Sequence, residues 1–287
     1  MINEGQSDTA PTGLARRGRR LPDRETKRRM LNAAVARVHR TGLTVSLDHI
    51  SFEDVIRDAD VSRSSVYRHW PHKDLFFSDL VKELAKDATP SIVSEELELI
   101  RRIVAAHPGW LATAELRRAL LAELFRQLAL ADFQTLYGSA EWRTYIALNA
   151  TFMSLTDSRL RDQVQAAFAQ SEQGRIVRIA HAWEYMADLF GYRLRPELSA
   201  TFQSLATLLS ATMRGLVIMA LSVPDIATHR AQASPFGAAG TDEWALPAVG
   251  LAGIATTFLE PDPAITWDDE RLAGVHGALA SLSLPDA

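Results

Sequence analysis

The sequence predicts an all-α protein, and three observations lead to that prediction. Apolar residues recur every three to four positions through most of the chain, which places them on one face of a helix. No segment alternates apolar and polar residues convincingly enough to predict a strand. Most glycines and prolines, which interrupt helices, fall between the periodic segments. We therefore expect a small four-helix head followed by a larger helical body.

The amino-terminal segment is predicted to be a disordered basic arm. Residues 1–22 are rich in Gly, Thr, Ser, Pro and Arg and have no hydrophobic period. Residues 1–86 hold 16 Lys and Arg against 12 Asp and Glu, which leaves 15 and 23 for the remainder of the chain. A basic end on an acidic body is the charge distribution of a protein that approaches a polyanion in one orientation.

Four helices are predicted for the head, residues 23–90. The first begins at Asp23 and the second follows Ser51, both of which are residue types that cap helices. The third helix is short, covers residues 63–70 and is stopped by the proline that follows it. The fourth ends at Pro90. Two short helices in succession, joined by a tight turn, are therefore expected in the middle of the head.

The helical rhythm continues beyond the head through about seven further segments. These segments are residues 91–106, 113–131, 141–155, 159–190, 197–222, 244–260 and 268–283. We assign residues 91–260 to one helical domain. Residues 261–287 follow a Pro-Asp-Pro break and are predicted to form a C-terminal helical extension.

The composition excludes several classes of function. The chain has no cysteine, so it forms neither disulfides nor thiolate metal sites and has no cysteine nucleophile. The amino terminus lacks the apolar core of a signal peptide. The longest strongly apolar run, Leu216–Leu221, is far below the roughly 20 residues that a membrane helix needs. We therefore expect a cytoplasmic protein without a membrane partner.

The third helix of the head has the pattern of a helix that reads DNA. Val66 and Trp70 are four residues apart, so both side chains face the interior. The outward face then carries polar and basic side chains that donate hydrogen bonds. They are Arg63, Ser64, Tyr67 and Arg68. A short helix of this kind, preceded by another short helix and a turn, is what reading in the major groove requires.

The stretch from Phe52 to Leu75, FEDVIRDADVSRSSVYRHWPHKDL, resembles the DNA-binding signature of TetR-family repressors. That signature contains a turn glycine, a Ser cap, a Tyr-x-His-aromatic run and a Lys-acidic pair. The matching positions are Val61-Ser62, Val66-Tyr67, His69-Trp70 and Lys73-Asp74. Two positions depart from it, since Asp60 replaces the turn glycine and Trp70 replaces the commoner Phe. Asp tolerates the left-handed backbone that such a turn needs, so the turn is expected to form.

The resemblance implies a repressor that binds a double-stranded operator. In the family, the residues aligned with Tyr67 and Lys73 usually contact phosphates, and those around Arg63, Ser64 and Arg68 lie at or near base edges. An arginine-rich arm beside such a head favours a minor-groove or phosphate contact. The candidate DNA-binding residues are Ser51, Ser62, Arg63, Ser64, Ser65, Tyr67, Arg68, His69 and Lys73, with Arg19 and Arg20 of the arm.

Two apolar segments of the body are candidates for a homodimer interface. Residues 197–222 become nearly apolar all round after Met213, and residues 244–260 carry small residues that admit a neighbouring helix. In TetR-like proteins the last two body helices of each subunit pair in a four-helix interface. Such a dimer places two heads about 34 Å apart, one helical turn of a palindromic operator. An intramolecular core is the alternative interpretation of both segments.

The resemblance also implies that the body binds a small apolar or aromatic effector that releases the DNA. Large side chains in residues 113–131, 141–155 and 159–190 are candidates to line its pocket. The candidate ligand-binding residues in these segments are Trp142, Tyr145, Phe152, Trp183, Met186 and Phe190, and Trp110, just after a Pro-Gly break, is a further candidate near the junction of head and body. Each of them is also explained as an ordinary core residue.

Other classes of function have weaker support in the sequence. His181, Glu184 and Asp188 share a helical face, but three such residues on one helix usually form a solvated surface, so neither a metal nor a cofactor is expected. The chain has no paired Glu-x-x-His motifs, no G-x-S-x-G elbow and no P-loop, so an enzyme is not expected. The alternatives that remain are an architectural or adaptor DNA-binding protein without an effector and, less favoured, a helical-bundle enzyme.

Overall fold

The computed structural model describes residues 22–42, 50–86, 93–153, 155 and 157–281. Helices make up most of this part of the chain, which confirms the predicted all-α class. The predicted arm, including Arg19 and Arg20, lies outside the described residues apart from Pro22.

The head consists of four helices around one small core. They are α1 (Asp23–Thr41), α2 (Phe52–Asp58), α3 (Arg63–His69) and α4 (Lys73–Lys86). The apolar stripe of each helix turns inward, and its buried members include Met30, Ala34, Val38, Val55, Val66, Phe76 and Leu80. These buried residues belong to one apolar cluster that continues from the head into the body.

The body begins with four helices. They are α5 (Val93–Ala106), α6 (Ala114–Gly138), α7 (Ala140–Met153) and α8 (Ser158–Leu189), of which α6 and α8 are the longest. The Thr113 side chain caps α6 by accepting from the Leu116 N–H at 3.3 Å. Asp157 caps α8 in the same way through the Leu160 N–H at 2.9 Å. Gly174 does not interrupt α8, which continues as one helix of 32 residues.

The body is completed by α9 (Phe202–Ser222), the short α10 (Asp225–Thr228), α11 (Leu246–Phe258) and α12 (Asp269–Ser281). Helix α9 packs against α8 and α11, and α11 packs against α6. These contacts place α9 and α11 side by side at one flank of the body.

Four short strands correct the expectation that the chain forms no strand. β1 (Tyr192–Leu194) pairs antiparallel with β4 (Leu259–Pro261), and β2 (Arg230–Ala233) pairs antiparallel with β3 (Asp242–Ala245). Each strand is three or four residues long. Alternation cannot be recognised over so few positions, because it needs about four to eight residues to stand out.

The head and body are joined through α4. This helix packs along α8 and α7, and the Lys82 ammonium donates to the Gln163 side-chain oxygen at 3.3 Å. Helix α1 also contacts α7. The head therefore contacts the body through α4 and α1.

The predicted C-terminal extension packs back onto the body. The Arg101 guanidinium of α5 donates to the Leu279 carbonyl at 2.9 Å, and Val275 of α12 is buried. Arg271 donates to the carbonyl oxygens at the carboxyl end of α8, including that of Leu189 at 3.3 Å. The described part of the extension is thus held against α5 and α8.

The longest apolar run, Leu216–Leu221, predicts that no segment is apolar over the length of a membrane helix, and α9 corrects this prediction. Of the helices in the described residues, this one, 21 residues long, is long and apolar enough to cross a membrane by length and composition alone. Threonines, serines and Arg214 divide its sequence, so an uninterrupted apolar run underestimates how apolar the helix is as a whole. A core helix of a globular protein meets the same criteria, and α9 packs against α8 and α11.

Candidate nucleic-acid interface

Helices α2 and α3 are each fixed at the amino end by a serine cap. Ser51 accepts a hydrogen bond from the Asp54 N–H, and Ser62 accepts one from the Ser65 N–H, both at 3.3 Å. The turn between the helices places Asp60 in the left-handed region with a φ of 50°. This residue stands where the family signature has glycine, and its backbone takes the conformation that glycine adopts most easily.

The inner face of α3 anchors the helix to the head. Val66 and Trp70 are buried, and the Trp70 ring meets the Phe76 ring edge-on at 5.1 Å. The Trp70 indole N–H donates to Asp79 at 3.2 Å. Burial opposes the charge of Asp79, but hydrogen bonds from Lys82, Lys27 and Trp70 lower its pKa to about 2. The tryptophan that replaces the commoner phenylalanine thus gains a polar partner inside the head.

The outer face of α3 presents Arg63, Tyr67 and Arg68 to solvent. The side chain of Arg63 is 74% exposed, and 44% of Tyr67 is exposed. Arg63 forms an ion pair with Glu53 of α2 at 2.8 Å, and the Tyr67 hydroxyl donates to the same carboxylate at 2.9 Å. Arg68 pairs with Asp23 at the start of α1. All three donors are therefore at the surface, each held by an acidic side chain of the head.

Four further candidates lie at the rim of this face. Ser62, Ser64, His69 and Lys73 are exposed. Lys73 is the first residue of α4, and within the described residues its ammonium forms no ion pair. A cation in this position remains available to a phosphate.

Ser65 is a correction, because its side chain faces the interior. It is 9% exposed, and its hydroxyl accepts a hydrogen bond from the Ser62 hydroxyl at 2.9 Å. Ser65 lies one residue before the anchor Val66 and shares its inner side of the helix. Its structural contribution is to the cap of α3, whereas a direct contact with DNA would require the helix to rotate.

Most of the predicted ligand-binding residues pack against other aromatic side chains. Trp142 stacks on Tyr145 at 4.8 Å, and Phe152 meets a neighbouring phenylalanine of α8 at 5.6 Å. Trp183 stacks on a phenylalanine of α6 at 5.4 Å, and Trp110 stacks on a histidine at 3.7 Å. The remaining two residues are Met186, which is partly buried, and Phe190, which is buried.

Two cavities among the described residues are formed mostly by other side chains. None of the seven predicted residues lines a cavity of about 300 Å³ beside α6. Phe190 lines a second cavity of about 50 Å³. Five of the predicted residues instead meet neighbouring aromatic rings, and such pairs stabilise the interior beyond the area that they bury.

A polar network that the sequence analysis missed connects α7, α8 and α9. Glu172 accepts from the Tyr145 hydroxyl at 2.7 Å and from the Arg214 guanidinium at 2.9 Å. Arg175 also donates to Glu172, at 3.0 Å, and to the Ser210 hydroxyl at 3.2 Å. Burial opposes the charge of Glu172, but these donors lower its pKa. The signal in the sequence is Arg214, which is the one charged residue of α9.

The three residues of α8 that the sequence analysis considers as metal ligands lie at the surface. His181, Glu184 and Asp188 are exposed. In the part of the chain that the structure describes, no group of three or more His, Asp or Glu is placed to hold a metal ion.

No family model matches the chain, and no curated protein matches it significantly. Two solved structures align with most of it. One is SmeT, the repressor of the Stenotrophomonas maltophilia multidrug efflux pump SmeDEF, with 17% identity, 84% of this chain and 95% of that chain covered, and a TM-score of 0.36. The other is TylP, a TetR regulator from Streptomyces fradiae. It is 14% identical, the alignment covers 92% of this chain and 94% of that chain, and the TM-score is 0.36. Likenesses of this degree leave the function to be argued from the chain itself.

Proposed function

We propose that the protein is a DNA-binding transcriptional regulator of the TetR type, and that it acts as a repressor. The observation that carries this proposal is the unit formed by α2, the turn at Asp60 and α3. Val66 and Trp70 fix the inner face of α3, while Arg63 and Arg68 stand on its outer face. A short anchored helix with outward guanidinium groups has the shape and the donors to enter a major groove and bind guanine edges.

The Lys73 ammonium and the Tyr67 hydroxyl support the same orientation. Both lie at the edge of the exposed face of α3, where the sugar-phosphate backbone would run beside a helix in the groove. Contacts to phosphate fix the register of the helix but do not read the sequence. The division of labour that we propose therefore assigns Tyr67 and Lys73 to phosphates, and Arg63 and Arg68 to bases.

A homodimer is the second part of the proposal. An exposed apolar stripe follows α9 and continues onto α11, and its members are Leu208, Ile218, Met219, Leu246 and Val249. Gly215 lies on the same helix as most of these residues, and a Cβ added to it would meet no described atom within 4 Å, so it lets a second helix approach closely. Two copies joined here would present two heads to the half-sites of a palindromic operator.

We further propose that a small apolar or aromatic effector bound in the body releases the operator in the cytoplasm. The effector must bind the released geometry more tightly than the DNA-competent one, since otherwise it shifts no equilibrium. Helices α4, α7 and α8 link the body to the head and offer the path. An architectural DNA-binding protein without an effector would lack both sequence preference and release.

Selection of binding sites from a pool of random duplexes, followed by gel shifts at fixed salt, tests the proposal. We expect Arg63→Ala and Arg68→Ala each to cost about 1–3 kcal/mol on the selected site if each reads a guanine. The control is Arg178→Ala, which removes an exposed arginine from α8 in the body. Selection that enriches no common sequence, or full affinity in both α3 variants, would contradict a sequence-specific regulator.

The basic arm has a separate test. Residues 1–20 include Arg16, Arg17, Arg19 and Arg20, so a truncated chain that begins at Leu21 lacks four positive charges. If the arm contacts phosphates, the slope of log affinity against log salt becomes shallower by about 0.9 for each phosphate that the truncated chain no longer neutralises. An unchanged slope would assign all phosphate contacts to the head.

A further inference from the structure

The cavity of about 300 Å³ lies in the body, apart from the residues assigned to DNA and to the dimer. It lies between α6, the carboxyl end of α11, the β1–β4 pair and the loop that joins β2 to β3. Its lining combines apolar side chains with two arginines and a tyrosine: Arg118, Leu121, Phe125, Tyr192, Arg195 and Phe236 are among the members.

The cavity is far from the junction with the head. Tyr192 follows the carboxyl end of α8, whereas Gln163 near the amino end of α8 contacts α4. At 1.5 Å per residue, the helix between Gln163 and Leu189 is about 39 Å long. A ligand in this cavity is therefore separated from the DNA-facing helices by most of the length of the body.

The guanidinium groups of Arg118 and Arg195 are only loosely paired. Arg118 lies 3.5 Å from Glu115, and Arg195 lies 3.5 Å from Glu260 and 3.6 Å from Glu197. A charge-assisted hydrogen bond of good geometry is about 2.7–2.9 Å long, so these acids do not engage the arginines closely. Both guanidinium groups thus keep N–H donors for an anion.

Tyr192 brings a third donor to the same wall. It is 8% exposed, and its hydroxyl makes no hydrogen bond to any other described residue. Burial raises the pKa of Tyr192, while the positive charges of Arg118 and Arg117 act in the opposite direction. Although most of the side chain is buried, the hydroxyl oxygen is not fully enclosed, so it is available to a ligand oxygen.

The loop between β2 and β3 holds an aromatic ring against the opposite wall. Phe236 has a φ of 61° and Gly237 a φ of 83°, so two consecutive residues are left-handed. This backbone is unfavourable for a residue with a side chain, and such strain is concentrated at ligand clamps and other functional sites. A Cβ on Gly237 would lie 3.4 Å from the Arg118 Cβ, which shows how closely the loop approaches α6.

We propose that this cavity binds a small organic carboxylate with an apolar body. The carboxylate would accept from Arg118, Arg195 and Tyr192. The apolar part would lie against Leu121, Phe125 and Phe236. A volume near 300 Å³ is at the lower end for ligand pockets and fits one aromatic ring or a short acyl chain rather than a fused ring system.

The consequence for regulation rests on the proposed function. Thr256 and Leu259 line the cavity at the end of α11, and α11 carries part of the proposed dimer stripe. A ligand that fills the cavity therefore presses on a helix that sets the spacing of two subunits. The carboxylate would be the effector, and it would act on the dimer before it acts on the head.

Calorimetric titration of the full chain tests the binding site. The probes are phenylacetate and octanoate, with phenylacetamide and phenethylammonium as neutral and cationic counterparts of similar shape. We expect saturable binding of the two anions and affinities lower by about tenfold or more for the counterparts, because charge-assisted hydrogen bonds are lost. Arg118→Gln and Arg195→Gln should each weaken phenylacetate binding by about tenfold, and Tyr192→Phe by somewhat less.

The control is Arg178→Gln, an exposed arginine of α8 that does not line the cavity and should leave binding unchanged. Thermal unfolding of each variant without ligand identifies any that fails to fold, and Arg118 is half-exposed, so its replacement leaves the core intact. Equal affinities for phenylacetate and phenylacetamide would overturn the proposal. Full affinity in the Arg118→Gln/Arg195→Gln double variant, or no binding of either anion, would do the same.

Gel shifts with the same preparations separate this proposal from the regulator itself. Specific DNA binding without preference for the anions contradicts the carboxylate site and leaves the regulator standing. Anion binding that depends on Arg118, in a protein without specific DNA binding, supports the site and contradicts the regulator.

Discussion

Glu53 is the residue that competes most directly with DNA for α3. Its carboxylate holds the Arg63 guanidinium at 2.8 Å and the Tyr67 hydroxyl at 2.9 Å. It also places a negative charge beside the proposed phosphate contacts. We expect Glu53→Gln to raise operator affinity severalfold, because both donors are released and a repulsion is removed. Fluorescence anisotropy with the selected duplex at constant salt measures the change.

The control for this variant is Glu184→Gln, which removes the same charge from the exposed surface of α8. It should alter affinity much less, since screening over more than a Debye length weakens a distant charge. Weaker binding by Glu53→Gln would mean that Glu53 positions Arg63 for DNA instead of competing for it.

The stability of the fold is expected to depend on pH through Glu96. Burial and the negative charge of Asp132 raise the pKa of Glu96 to about 7, and burial raises that of Asp132 to about 6 against the opposing charge of Arg175. The folded state then binds more protons than the unfolded chain above pH 4.5, so stability falls as pH rises from about 4.5 to 7. Glu96→Gln should reduce this slope, leaving the part due to Asp132, and stabilise the protein on the order of 1–3 kcal/mol at pH 8.

Urea unfolding at pH 5 and pH 8 measures the effect. Glu98→Gln is the matched control, because its side chain is 62% exposed and its only described ion pair is with Arg101 at 3.4 Å. A wild-type protein that is as stable at pH 8 as at pH 5, with an unchanged Glu96→Gln variant, would contradict the assignment.

The turn between α2 and α3 has the left-handed backbone of the family signature, although its sequence has Asp60 in place of glycine. Asp60 adopts a φ of 50°, which costs an L-residue free energy that glycine avoids. We expect Asp60→Gly to change the free energy of unfolding by less than about 1 kcal/mol, and Asp60→Val to destabilise by about 1–2 kcal/mol. Thermal unfolding distinguishes the two variants.

Asp60→Asn is the control for the lost charge, since asparagine also tolerates the left-handed region. It should behave like the wild type. If Asp60→Val were as stable as Asp60→Asn, the turn in solution would not use a left-handed residue.

Helices were predictable at this scale because their signals are local. The caps Ser51 and Ser62 and the anchors Val66 and Trp70 lie within a few residues of the features that they fix. The cavity walls were not predictable, because Arg118, Tyr192 and Phe236 are brought together by packing over more than a hundred residues. The sequence instead predicts a pocket among the aromatic residues of the body helices, and most of these residues pack against other rings.

The network of Glu172 and Arg214 was predictable only in part. Its members come from α7, α8 and α9, so their meeting depends on the tertiary fold. Arg214 lies in a mostly apolar helix, where a buried charge without a partner costs free energy. That cost predicts that Arg214 has an acidic or polar partner, although the sequence does not identify it.

For the whole molecule, the exposed apolar stripe on α9 and α11 is the proposed dimer interface, and dimerisation determines whether two heads bind one operator. Ile218 and Val249 are exposed, although both belong to strongly apolar helices. An apolar surface of this kind costs free energy in water, and a second copy that covers it recovers the hydrophobic contribution. We therefore expect the wild-type protein to sediment as a dimer at micromolar concentration.

Ile218→Glu and Val249→Glu should each shift that equilibrium toward the monomer, because a carboxylate buried at a two-fold interface meets its own copy or an apolar surface. Met153→Glu is the control, since Met153 is 77% exposed at the end of α7 and lies away from the stripe. Each monomeric variant should retain its unfolding midpoint measured at low concentration but lose most of its operator affinity, because a single head contacts only one half-site. Dimers that persist in both glutamate variants would place the interface elsewhere, and monomers with full operator affinity would show that one head is sufficient.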